Sequence, residues 1–286
     1  MPKEGTHQYI AKKVQTLFIP KNLDTYLYGS LAPDIFFFDF IKKPTVSNRL
    51  HGKDGESTDQ IFLTAGELWP KLDKADRVIL ADFLAGYLTH VITDRVFHPW
   101  VIYWSGGPAE EKKYGSIVHH FLETWLDLAL DNPQPPIKYD RQILRLYKNI
   151  IQPEQNIYRC AWQHKFLVRS LDSTWFLQIS RREPALLTLS YKIVKKYISQ
   201  YHLGDLSTWR QPVTGEPKNI SWQGLLAQSI DLSRHLLEQI DWSDLPSNDW
   251  ETLLGAASLE TNLVGVPFSD CRFQNTEYFS QLRVGL

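Results

Sequence analysis

Apolar positions recur along the chain at helical spacing, in segments punctuated by proline and glycine. Ile10, Ala11, Val14, Leu17 and Phe18 share one face of a first segment, with Thr6 as its cap and Pro20 as its stop. His7 falls in the first turn of that segment. Similar patterns run from about Ser57 to Trp69 ahead of Pro70, from about Lys74 to Phe97 ahead of His98 and Pro99, and from about Ser116 to Leu130 ahead of Asn132 and Pro133. Pro99 is expected to end the third of these, because a proline ring disfavours helical backbone in the residue before it. Further helices are expected near 140–149, 154–169, 184–201, 222–240 and 247–256. Pro135 and Pro136 mark a loop, and the polar stretch from Gly204 to Asn219, with Pro212, Gly215 and Pro217, reads as a long surface loop. Little reads as strand, and no repeat or low-complexity tract is present. The pattern predicts an all-α protein.

Composition narrows the function more by exclusion than by suggestion. A chain of 286 residues that is 43% hydrophobic has ample area for a core, which argues against disorder. The formal net charge of -1 and pI near 6.8 provide no long-range attraction for nucleic-acid phosphates or anionic membranes. The basic pairs Lys42-Lys43 and Lys112-Lys113 read as solvated surface. Cys160 and Cys271 are the only cysteines, too few for a disulfide framework or a thiolate metal site, and they read as buried thiols. The start, Met1-Pro2-Lys3-Glu4-Gly5-Thr6, lacks the apolar run of a signal peptide, and no later stretch approaches the ~20 apolar residues that span a bilayer. A cytoplasmic location is therefore expected.

The candidate chemistry lies in the histidines. Six of the nine fall in the first 120 residues, each close in sequence to a carboxylate. In Asp82 to His98, residues four apart stand one above another, so His90 and Asp94 project to one side of a helix and His98 follows with a modest rotation. Leu84, Leu88, Val91, Ile92 and Val96 are apolar enough to bury that helix, and a buried ionised Asp94 costs several kcal/mol unless a counter-charge such as a divalent metal meets it. A salt-bridged polar face, with Asp94 paired to Arg95 or another cation, is the alternative. His119 and Glu123 repeat the four-residue spacing on a second helix, while His120 lies about 100° round from His119 and reads as a supporting or core residue. Asp127 continues the His119 stripe, either to orient a ligand or as a plain surface acid. Asp34, after Pro33, suits a helix cap as well as a buried site. His51 by itself reads as an exposed loop residue. Phe36, Phe37, Phe38, Trp100, Tyr103 and Trp104 lie beside these positions; a choline headgroup could rest on such faces, but core packing is the expected role.

Taken together these motifs resemble the zinc-dependent phospholipase C family. They are Thr6-His7, Gly29-Ser30-Leu31-Ala32-Pro33-Asp34, His51-Gly52, Gly86-Tyr87-Leu88-Thr89-His90 with Asp94, His98-Pro99, and His119 with Glu123. The likeness covers about residues 5–130, with a weaker echo in Trp209, Pro212, Thr214, Gly215 and Glu216. It implies a compact multi-helix fold shared with P1-type nucleases. It also implies one domain over 1–286, with the metal site built from about 5–130 and carboxy-terminal helices in 138–286 closing around it. Asp34, His51, His90 and Asp94 are then expected to hold one zinc, and His98, His119 and Glu123 a second. His7 and Asp94 share in a third, which the secreted enzymes complete with an amino-terminal tryptophan. This chain begins Met1-Pro2, so two ions are expected and the third lacks that partner. The implied reaction is hydrolysis of a phosphodiester, in a phospholipid or another phosphoester, by a metal-activated water. Asp34 is the candidate general base as well as a ligand. A P1-type nuclease, another phosphoesterase or a non-enzymatic zinc-binding helical protein are the alternatives. An HD-type phosphohydrolase is disfavoured because no His is followed directly by Asp.

Overall fold

The computed structural model describes residues 4–16, 18–38, 45–108, 117–130, 140–153, 155–170 and 206–275. Among the described residues it is all-α apart from one short hairpin. The helices are α1 (Glu4–Val14), α2 (Leu23–Gly29), α3 (Thr45–Leu50), α4 (Gln60–Leu68), α5 (Lys74–Ser105), α6 (Ile117–Ala129), α7 (Arg141–Ile151), α8 (Ile157–Ser170), α9 (Trp222–Gln239) and α10 (Trp250–Leu254). A 3-10 turn spans Asp34–Phe38. Strands β1 (Thr208–Arg210) and β2 (Pro217–Asn219) pair antiparallel.

Helix α5 is the spine. Asp73 caps it by accepting the Asp76 N–H at 2.8 Å, and Gly106 ends it in the left-handed region at φ 86°. Helices α1, α2, α6, α7 and α9 and strand β1 all pack on it, so that almost every side chain from Leu80 onward is buried. Its 32 residues correct the expectation that Pro99 ends the helix. An internal proline costs about 3 kcal/mol, but Trp100, Val101, Ile102 and Trp104 beyond it are all buried. At about 1.5–3 kcal/mol per large apolar side chain, keeping them in register with the core outweighs the lost hydrogen bond.

Other differences have local causes. Thr6 is not a cap, since α1 has begun by Glu4 and the Thr6 hydroxyl donates to Asp127 on α6 at 2.7 Å. The expected loop 204–219 is instead the β1–β2 hairpin where it is described, and it buries Trp209. Helices α2 and α3 were not expected, being only 7 and 6 residues long. The two central glycines of the α2–α5 crossing bring the backbones into contact. A Cβ at Gly29 would overlap the Phe83 carbonyl, and one at Gly86 the Tyr26 carbonyl. Cys160 and Cys271 are free and buried. The expected helix at 184–201, the 133–136 loop and the four lysines at 42, 43, 112 and 113 lie outside the described residues. Among the described residues no helix is long and apolar enough to cross a membrane.

Candidate metal centre

The α5 stripe forms as its spacing predicts. His90 Nε2 lies 3.0 Å from Asp94 Oδ2, and His98 Nε2 lies 3.9 Å from Asp94 Oδ1. His51, at the end of α3, brings its Nε2 to 3.1 Å from Asp34 Oδ1 and 3.4 Å from Asp94 Oδ2. From α1, His7 Nε2 reaches 3.3 Å from Asp94 Oδ1 and 3.9 Å from Asp34 Oδ2, and its ring stacks on His90 with centroids 4.0 Å apart. On α6, His119 Nε2 is 2.8 Å from Glu123 Oε1, and the His119 ring is 5.8 Å from that of His98. Three groups converge closely enough to share an ion: His7, Asp34 and His90; His51, His90 and Asp94; His98, His119 and Glu123. All eight sequence-predicted site residues thus meet in one place.

Two of them stand differently from the reading each had alone. Asp34 is not simply a cap: it opens the 3-10 turn with its carboxylate against His51 and is only 5% exposed. His51 is fully buried rather than solvent-facing, and its carbonyl accepts from Leu259 and Ser258 in the carboxy-terminal part of the chain. The alternative of an Asp94–Arg95 pair does not occur. Arg95 turns away from the stripe and donates to the Leu254 and Ala257 carbonyls and the Thr58 hydroxyl.

The imidazoles are aimed by backbone. His51 Nδ1 meets the Ser47 carbonyl at 2.6 Å, His90 Nδ1 the Ser30 carbonyl at 2.9 Å, and His98 Nδ1 the Leu259 carbonyl at 3.0 Å. A carbonyl can only accept, so Nδ1 carries a proton in each ring, and in the neutral form Nε2 is the atom that presents a lone pair to the centre. Sequence reading missed these acceptors because a main-chain carbonyl leaves no signature in residue identity.

Several buried atoms at the centre lack a hydrogen-bond partner: both Asp94 oxygens, Asp34 Oδ1, His98 Nε2 and both nitrogens of His7. Such groups are expensive to bury unsatisfied. A divalent cation answers all of them, and imidazole with carboxylate is a donor set that suits zinc. The electrostatics agree. Burial would raise the Asp94 carboxyl, yet His90, His98 and His7 around it hold it well below the usual carboxylate range. Burial lowers the His51 ring, but Asp34 and Asp94 outweigh burial and push it up to about 10. His7 is lowered by burial and by neighbouring His90, and His98 is held well below its ordinary value chiefly by burial.

Supporting contacts frame the cluster. Asp127 is buried rather than a surface acid, and its carboxylate accepts from Gly5 N–H at 2.8 Å and from Thr6 N–H at 2.7 Å. It therefore anchors the first turn of α1, which carries His7, to α6, which carries His119 and Glu123. Burial pushes the Asp127 carboxyl up to about 6. His164 on α8 lies 3.1 Å from Glu4. The side chains of His120 and Phe38 lie outside the described residues. Phe36, Trp100 and Trp104 belong to the core, while Phe37 is 36% exposed with its ring 5.3 Å from His51.

Residues 6–183 match the model of the family described as zinc dependent phospholipase C. No curated protein and no solved structure matches the chain. The matched residues make up more than half of the sequence and contain all eight converging side chains. On that match and this all-α architecture, the chain belongs to the zinc-dependent phospholipase C family, whose chemistry is phosphoester hydrolysis.

Proposed function

We propose that the protein is a zinc-dependent phosphoester hydrolase that cleaves a phosphodiester, with a phospholipid as the favoured substrate. The observation that carries this reading is the buried knot of imidazoles and carboxylates in which inward-facing atoms of His7, Asp34, Asp94 and His98 have no hydrogen-bond partner. Asp34, His51, His90 and Asp94 would hold one ion, and His98, His119 and Glu123 a second. His7 with Asp94 offers a third position.

Zinc bound there supplies Lewis acidity toward phosphoryl oxygens and makes water a nucleophile near neutral pH. The chain's own residues do the rest. The Ser30, Ser47 and Leu259 carbonyls keep three rings in one tautomer, so the donor atoms are in place before substrate arrives. The apolar packing around α5 excludes bulk water and strengthens each charge interaction inside. Asp34, the site carboxylate set at the start of a turn rather than on a regular helix, takes the proton of the attacking water and so acts as general base.

Zinc per chain, measured on the purified protein, and hydrolysis of phosphatidylcholine vesicles beside a soluble chromogenic phosphodiester test the proposal. Two zinc ions with hydrolysis of both substrates are expected. Zinc without lipid hydrolysis moves the substrate to another phosphodiester, single-stranded nucleic acid being the next to try. A chain that takes up no zinc when it is supplied refutes the reading. Asp34→Asn should keep its metal and lose turnover, whereas full activity in that variant removes the general-base role.

A further inference from the structure

Residues 257–261 lie far beyond the family-matched segment, yet they touch the metal centre at two places. The Leu259 N–H donates to the His51 carbonyl at 3.0 Å, and the Leu259 carbonyl accepts from His98 Nδ1 at 3.0 Å. One residue thereby spans the two proposed ligand sets. The Ser258 hydroxyl donates to the Gly52 carbonyl at 2.9 Å, and the Ala257 carbonyl accepts from Arg95 at 2.9 Å and from the Thr58 hydroxyl at 2.7 Å. The segment is itself closed by an Ala257–Val264 bridge and by Ser258 N–H to the Leu263 carbonyl at 3.1 Å. It is held too firmly, and at too many points, to be a passing loop.

Glu260 adds a charge to this contact. It is 8% exposed, and its Oε2 stands 3.5 Å from His98 Nδ1, the nitrogen that also donates to Leu259. Of the three carbonyl-held rings, His98 is the one with a carboxylate at that distance from Nδ1 among the described residues. A negative charge behind the ring strengthens Nε2, on the opposite edge, as a donor toward a cation.

We infer that Glu260 is a positioning residue for His98, and that it sets how tightly the His98, His119 and Glu123 group holds its ion. The inference rests on the zinc reading above. It makes the carboxy-terminal segment part of the metal centre, although the family match ends well before it.

The test is zinc titration of the chelator-stripped full chain against a chromophoric competitor, for the wild type, E260Q, E260A and H98A. The H98A variant identifies which binding event belongs to this group. Both Glu260 variants should weaken that event by about 10–100-fold, the usual cost of losing an outer partner of a histidine ligand. The other event should stay within about twofold of wild type, and the Tm of the metal-free protein should be unchanged. Wild-type affinity in E260Q overturns the inference, because the charge is then dispensable. Parallel weakening of both events with a lower metal-free Tm also overturns it, because the role is then only structural. A wild-type chain that binds no zinc fails the proposed function instead.

Discussion

His51, His90 and His98 are each fixed at Nδ1 by a backbone carbonyl, whereas His7 rests on ring stacking, on its approach to Asp94 and on the anchoring of its helix. Each of the first three gives its Nδ1 proton to a backbone carbonyl, while neither ring nitrogen of His7 has a hydrogen-bond partner. His7 keeps its place by stacking on His90 and through the anchoring of α1 by Asp127. The difference separates a centre whose donors are aimed before metal arrives from a flank that is merely nearby. Orientation by an outer partner, rather than proximity, is what fixes tautomer and raises affinity.

The largest effect should come from the residue that both regions share. Asp94 lies within 4 Å of His7, His51, His90 and His98. Asp94→Ala should release zinc and lower phosphodiester hydrolysis about a thousandfold or more, since several kcal/mol of charge stabilisation are at stake and each 1.36 kcal/mol is tenfold in rate. Elemental analysis and turnover on the same preparation check it. His7→Ala should cost no more than one ion and about tenfold in rate, near the low end of what supporting contacts carry. A collapse as deep as that of Asp94→Ala would erase the distinction between centre and flank.

Asp127 offers a test of what holds the flank. Its carboxylate accepts from two backbone N–H groups and one hydroxyl. Asp127→Ala should lower stability by about 2–4 kcal/mol, given ~1.5–3 kcal/mol for a charge-assisted bond. For a chain of this size that is a fall of roughly 5–10 °C in Tm, read by calorimetry.

The smallest signal is a single proton. In the metal-free protein His51 is raised above its unfolded value, so its contribution to stability is complete below pH 6.5 and is lost as the pH rises toward about 10. Zinc needs the neutral ring, so binding near pH 7.5 should expel about one proton from His51. His7 moves the other way, lowered by burial and His90, and should contribute none. Titration calorimetry in buffers of different ionisation enthalpy counts the protons, and His51→Ala should abolish the release.

The sequence pointed to the side chains that converge in one place and to little of what aims them. The His90–Asp94 and His119–Glu123 spacings were legible because a helix turns spacing into direction. Asp34 and His51 were not legible alone, since a loop residue has no period, and they entered only through the family resemblance. Pro99 misled because local backbone cost was weighed without the burial of Trp100, Val101 and Ile102 beyond it. The 208–219 hairpin was hidden by its own turn residues, Pro212 and Gly215. Glu260 had no signal, being one acid among 32 acidic residues and far from every other site residue in sequence.

The glycine contact between α2 and α5 sets a condition on any transplant of this centre. Ser30 follows Gly29 directly, and Gly86 sits one helical turn before His90, so the Ser30 carbonyl reaches His90 only where the two backbones touch. A designer who grafted the eight converging side chains onto another bundle, but kept alanine at those two crossing points, would build a ring free to swing. The fidelity of the centre thus depends on two positions that contribute no atoms to it.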